Sequence, residues 1–474
     1  MPRFPRLFPR LLALVLTLAV LPGMAAATAS ATPQDIRRPP RAEAPHEYFQ
    51  RAGREQRSKH YRILSDLPSD ETELYAGHLD LIYEEYARRL AGLEQQAPEI
   101  PFVLMFARER DYLEVLRNRY GVNATGSGGM FFITPAGAAL AFFTESLPRS
   151  RVLHVVQHEG FHQYAHSRFA GRLPPWVNEG LAEFFGEAIV VDGRVIVGQA
   201  SAGAAASVRA AVEGGTTVPF LRILTMDGDQ WNANVRSGNA AIQYVQSWAM
   251  VQYLGWADGG RYQRPFEAYL RLLHGGVPSE RAFVQAFGTN DIESFERAWK
   301  DWAKDMQPTA FAGAAARLTF LAEGLRTLSR DGIAVESLED ALAKLKERGF
   351  SVEVTIHGRT ERIEPSPAIL TIPRDALAKA DPVLEMVPPR KSGQTTAQRK
   401  READHPTPPS VITRGLEPRE LALEWTRMKS GDDFEYRLLS PKEAPKARRE
   451  PRAGGKREKD AKPAEDDKDA KPAG

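Results

Sequence analysis

His158-Glu159-Gly160-Phe161-His162 places two imidazoles four residues apart, with a carboxylate beside the first. On an α-helix, residues four apart lie on one face, so both rings point the same way and can share one tetrahedral metal ion. Glu159 lies about 100° further round the helix. It is therefore poorly placed to be a ligand and well placed to reach a water on the metal's open side. The pair belongs to a longer stripe, His154, His158, His162 and His166, in which the two outer rings either support the site or simply pack.

A third ligand has to come from elsewhere in the chain. Sixteen residues separate His162 from Glu179, which lies in Trp176-Val177-Asn178-Glu179-Gly180-Leu181-Ala182-Glu183. Pro174-Pro175 starts a second helix there. A helix, a reversing loop and a helix can return Glu179 over the histidines. Two histidines, one carboxylate and an open position suit a catalytic zinc ion. Glu183 follows one turn later on the same face, where it can accept from a ligand imidazole. A third histidine at the metzincin spacing is missing, because Arg168 stands there.

The rest of the composition narrows the chemistry. The 474 residues contain no cysteine, which excludes disulfides, thiolate metal sites and a cysteine nucleophile. Lys+Arg 63 against Asp+Glu 61 leaves a net charge of +2, too little for a nucleic-acid-binding surface. The Gly-rich loop 121–129 has no following Gly-Lys-Ser/Thr and so does not read as a phosphate loop.

Apolar periodicity supplies the elements that must hold the site. Strands are expected at 60–64, 101–106, 130–134 and 138–143, with helices at 72–93 and 111–119. Helices are expected at 151–169 and 177–189, then a hairpin about Asp192-Gly193. Helices at 240–255, 264–274, 279–287 and 291–306 form a helical half. Beyond Pro308, helices 312–329 and 337–348 precede strands 351–356 and 368–372 and a polar, basic stretch at 388–409. The expected class is α+β. A small sheet and the histidine helix form a catalytic lobe packed on a helical lobe, followed by a small C-terminal α/β region.

The two ends read differently. Arg3, Arg6 and Arg10, the apolar run Leu11–Leu21 and the small residues Ala25 to Ala31 predict an export signal over 1–31. Eleven apolar residues fall short of a bilayer span, so cleavage is expected over retention as an anchor. A linker at 32–46 follows. Residues 441–474 have 11 Lys/Arg, 8 Asp/Glu and no Val, Ile, Leu, Met or aromatic residue, and are expected to be disordered. The expected location is a bacterial periplasm, cell envelope or extracellular space.

His158-Glu-Gly-Phe-His162 with Trp176-Val-Asn-Glu-Gly-Leu-Ala-Glu-Phe-Phe185 resembles the gluzincin clan, specifically the peptidase MA-like proteins related to aminopeptidase N. The resemblance covers residues 47–306. It implies a thermolysin-like lobe, one Zn²⁺ held by His158, His162 and Glu179, and Glu159 as general base. Tyr244, in Tyr244-Val-Gln-Ser-Trp-Ala249, resembles the clan's oxyanion-stabilising tyrosine; alternatively it belongs to an apolar stripe with Trp248 and Val251. Aminopeptidases of this group have a Gly-x-Met-Glu-Asn strand whose carboxylate binds the substrate's free amine. Gly128-Gly129-Met130-Phe131-Phe132 stands in its place, with Phe131 where the carboxylate would be. The implied substrate is a peptide or protein, bound along Gly129, Met130 and Phe131 and cut internally. The other reading is an envelope binding or scaffold protein that keeps a zinc site without catalysis. Residues 310–440 carry no assignment.

Overall fold

The computed structural model describes residues 53–93, 100–134, 137–169, 171–236, 240–356, 359–372, 381–389, 396–428 and 433–441. The expected export signal, the linker and the charged tail from residue 442 lie outside them.

Strands β1 (Arg54–Arg57) and β2 (Arg62–Ser65) lead into helix α1 (Ser69–Arg89), strand β3 (Phe102–Phe106) and helix α2 (Glu109–Tyr120). The hairpin β4 (Gly129–Thr134) and β5 (Gly137–Phe143) completes a five-stranded sheet in the order β1-β2-β3-β5-β4. β2, β3 and β5 are parallel, β1 and β4 antiparallel to their neighbours, and β4 lies at an edge. Successive side chains of a strand face opposite ways, and here both faces are covered. Val103, Met105, Leu140 and Phe142 share a core with Tyr75, Leu79, Ile82 and Tyr86 of α1. Leu104, Phe106, Ala139 and Ala141 pack with Tyr112 and Leu116 of α2.

Helix α3 (Arg149–Phe169) lies on the α1 side of the sheet and carries the histidine stripe. Gly129 is where β4 presses on it: a Cβ there would come within 2.5 Å of Val155. Helix α4 (Pro175–Gly186) follows, then the hairpin β6 (Ile189–Val191) and β7 (Arg194–Ile196), turned by Asp192 and Gly193 with positive φ.

The helical half is richer than the periodicity suggested. An alanine-rich helix, α5 (Ala202–Glu213), capped by Ser201, precedes α6 (Phe220–Thr225) and α7 (Gly228–Arg236). Then come α8 (Ala240–Trp256), α9 (Gln263–His274), α10 (Ser279–Phe287) and α11 (Ile292–Lys304) around the buried Trp248 and Trp299.

Helices α12 (Ala310–Arg330) and α13 (Leu338–Glu347) open the C-terminal region, with the hairpin β8 (Val352–Ile356) and β9 (Arg359–Ile363) after them. The strand expected at 368–372 is instead a 3₁₀ turn, Pro367–Leu370, because Pro367 sets a helical φ at its start. Only Thr371 bridges to Val383 among the described residues. The polar stretch at 388–409 contains a helix, α14 (Thr396–Asp404), built from strong helix formers such as Gln, Arg, Lys and Glu. Strands β10 (Val383–Val387), β11 (Ser410–Arg414), β12 (Ala422–Arg427) and β13 (Phe434–Leu439) form an antiparallel sheet. Its side chains Val411, Leu423 and Tyr436 share a core with α12 and α13. The fold is mixed α+β with several small sheets. Among the described residues no helix is long and apolar enough to cross a membrane.

Candidate metal centre

The helical period brings His158 and His162 together, with Nε2 atoms 3.1 Å apart. Helix α4 returns over them and places Glu179 Oε2 3.5 Å from His158 Nε2 and 3.3 Å from His162 Nε2. All three side chains are almost wholly enclosed. A tetrahedral ion with bonds of about 2.0–2.1 Å needs ligand atoms about 3.3 Å apart. The observed triangle matches that requirement. Glu179 Oε2 makes no hydrogen bond of good geometry, although it is buried, which is the condition of an atom placed to meet a cation rather than a proton.

The charges around the triangle point the same way. Burial disfavours a charged ring at His158, but Glu183, with Glu179 and Glu159, outweighs it and lifts the pKa to about 9. His162 is raised as well, against its burial, by Glu179. Burial pushes Glu179 up, and the two rings overcome this and hold it at about 2. Positive charge is thus favoured between the rings, where a divalent cation would sit.

Glu183, predicted to support a ligand ring, stands with Oε1 3.5 Å from Nδ1 of His158, the nitrogen turned away from the triangle. Its Oε2 is 3.7 Å from Nε2 of His154. His154, His158 and Glu183 make a second group able to hold a metal. It shares His158 with the first group through the opposite nitrogen, so it reads as the backing of that ring. His154 packs against the backbone of Gly186, where a Cβ would come within 2.9 Å of its ring.

Glu159 points toward the edge strand. Its Oε2 accepts a 2.8 Å hydrogen bond from the backbone N–H of Phe131. The Phe131 ring lies 6.5 Å from His162 and 5.6 Å from His166, centroid to centroid. Gly129 and Met130 precede it on β4, and Ile133, on the same face as Phe131, is 51% exposed.

Tyr244 lies in the first turns of α8 and packs edge-on against Trp231. Burial, reinforced by the Glu179 carboxylate, holds its phenol well above the ordinary value of 10. It is a neutral hydroxyl within the field of the cluster. Helices α4 and α8 approach closely because Gly180 lacks a side chain: a Cβ there would come within 2.6 Å of the Ser247 carbonyl. The glycine after Glu179 therefore lets α8 reach the site.

Two positioning residues escaped the sequence reading, the glutamines on either side of the five-residue motif. Gln157 Nε2 donates to the carbonyls of Phe185, Gly186 and Ala188, at 2.6, 3.1 and 3.1 Å, tying α3 to the end of α4. Its Oε1 is 2.9 Å from His78 Nε2. Gln163 Nε2 donates to the carbonyls of Phe102 and Ala138, tying α3 to the starts of β3 and β5. A glutamine next to each histidine of the motif was the available signal, but the partners are carbonyls, which carry no residue signature.

Residues 153–263 match the model of a protein family of unknown function, DUF1570. The match runs from α3 to the start of α9 and contains His158, Glu159, His162, Glu179, Glu183 and Tyr244. A search of curated proteins finds no match to the chain.

Proposed function

We propose that the chain is an exported zinc-dependent hydrolase of the gluzincin type that cleaves peptide bonds within peptides or proteins. The observation that supports this best is the triangle of His158 Nε2, His162 Nε2 and Glu179 Oε2, with sides of 3.1 to 3.5 Å. His158, His162 and Glu179 would hold the ion, and Glu183 would fix the His158 tautomer. When bound, Zn²⁺ polarises a carbonyl and lowers the pKa of a coordinated water.

The protein's own groups do the rest. Glu159 accepts the proton of the attacking water and returns it to the leaving amine. Its Oε2 is anchored on the Phe131 amide, which holds the carboxylate against the edge strand β4. Tyr244, kept neutral by burial, donates to the oxyanion that develops on the substrate. The open edge of β4 pairs with an extended substrate backbone. Phe131 offers an apolar ring where a free amine would need a carboxylate, which favours internal cleavage.

The test uses the intact chain purified without a histidine tag. Metal analysis should find one zinc per chain, and a peptide library should be cut in a chelator-sensitive manner. Glu159→Gln should keep the zinc and lose turnover, whereas Glu179→Ala should lose the zinc. Equal turnover in Glu159→Gln and wild type would end the proposal. Stable zinc without cleavage of any peptide would instead favour a scaffold that retains the ion.

A further inference from the structure

The C-terminal region grips the first turn of α3 and the hairpin that leaves α4, at points away from the cluster those two helices carry. The first grip is at the start of α3. Glu323 of α12 accepts from the backbone N–H of Arg149 at 3.1 Å and from the hydroxyl of Tyr436 in β13, also at 3.1 Å. A carboxylate at that place satisfies one of the unpaired amides of the first turn and complements the helix dipole. The Arg149 guanidinium lies over the Tyr436 ring at 5.0 Å, and Arg149 is 7% exposed. Arg326, one turn on from Glu323, forms a two-pronged ion pair with Asp433, which holds α12 to the start of β13.

The second grip is at the exit of α4. The hairpin that follows α4 buries Val191 in the C-terminal core, with Ile189 and Ile196 packed against it. Asp192 donates its N–H to the Leu438 carbonyl at 3.3 Å and accepts from the Ser440 N–H at 3.0 Å. One strand, β13, thus touches the element after α4 through Leu438 and, through Tyr436 and Glu323, the first residue of α3. Gln157 joins the same two helices from inside.

From these contacts we propose that α12 and β13, with the described residues that pack on them, are a brace that sets the separation of α3 and α4, and that Glu323 is its positioning residue. The ligands His158 and His162 belong to α3 and Glu179 to α4. A small rotation of α3 about the sheet would open the triangle, and a helix held at its first turn resists that rotation. The effect on metal binding rests on the zinc reading above; the mechanical coupling does not.

The experiment uses the full chain, zinc ion alone as the probe, and variants compared at a temperature where each retains the wild-type circular dichroism. Glu323→Ala should weaken zinc binding about tenfold, the scale typical of an outer support. Glu323→Gln keeps an acceptor oxygen and should restore most of that loss. Leu342→Ala, in the same C-terminal core, should lower stability and leave zinc affinity alone. Amide hydrogen exchange of the metal-free protein provides a second readout. Glu323→Ala should speed exchange along α3 as far as His162, and Leu342→Ala should not. Unchanged exchange of α3 in Glu323→Ala, or an equal loss of zinc affinity in both alanine variants, overturns the brace. A wild-type chain that takes up no zinc removes the metal centre instead, and the exchange of α3 still decides the brace.

Discussion

The carboxylate of Glu159 and the main chain of Phe131 are joined by a 2.8 Å hydrogen bond between helix α3 and the edge strand β4. The bond uses an amide that the sheet does not need. Phe131 stands opposite Leu140 at a position whose N–H points away from β5, toward the helix. The strand thus orients a carboxylate while it stands at the edge of the sheet.

Replacing Phe131 with proline removes that donor together with the ring beside His162 and His166, so Phe131→Ala, which loses the ring and keeps the N–H, is the control. An edge strand tolerates proline where the amide faces outward, and Met130 is already extended, as a residue before proline must be. On the proposed zinc hydrolase reading, Phe131→Pro should bind zinc as the wild type does and lose about ten- to a hundredfold in turnover, the range for losing an outer partner. Steady-state kinetics on a library-derived peptide, with parallel metal analysis, reads this out. Unchanged turnover would mean that Glu159 needs no anchor.

Glu183 backs His158 from the far nitrogen. Glu183→Gln keeps the shape and removes the charge that raises the His158 pKa. Zinc affinity, measured by competition with a chromophoric chelator, should fall about tenfold while the stoichiometry stays the same.

Gly180 is the contact point of α4 with α8. An alanine there would meet the Ser247 carbonyl at 2.6 Å, and neither helix backbone can yield cheaply. Gly180→Ala should cost about 1–3 kcal/mol, the usual penalty of overpacking, seen as a lower denaturation midpoint. An unshifted midpoint would show that the helices are not pressed together there.

Glu187 makes the stability depend on pH. Burial, with the nearby Glu183 carboxylate, raises its pKa from 4.5 to about 8. In the unfolded chain it ionises near 4.5, so above that value the unfolded state gives up a proton that the folded state keeps. Its contribution is complete below about 4.5 and is lost as pH rises toward about 8. Urea unfolding across that interval should show falling stability, and Glu187→Gln, neutral throughout, should flatten the slope. An equally steep slope in the variant would place its origin elsewhere.

Much of the site was legible in one dimension because its logic is local. The four-residue spacing of His158 and His162 and the one-turn spacing of Glu179 and Glu183 follow from the helical period alone. Asp192-Gly193 marked its hairpin because a tight turn needs positive φ, which these residues accept. Alternating and continuous apolar runs located β3, β4 and β5 to within a residue.

What periodicity could not supply is the identity of distant partners. The strand expected at 368–372 became a 3₁₀ turn set by Pro367, and a helix formed within the polar stretch at 388–409 from strong helix formers, neither of which apolar periodicity registers. The amide of Arg149 finds its acceptor 174 residues away. Gln157 finds three carbonyls at and just beyond the end of α4, and carbonyls look alike in any sequence. The amino-acid order by itself determined which side chains could share a cation and which face of each element is apolar. Only the tertiary structure decided that Glu179 arrives within 3.5 Å of both rings. It also decided that Phe131 anchors Glu159 and that a C-terminal strand reaches the start of α3 and the hairpin after α4. Those distances are set by the packing of whole elements against one another, and such packing has no local signature.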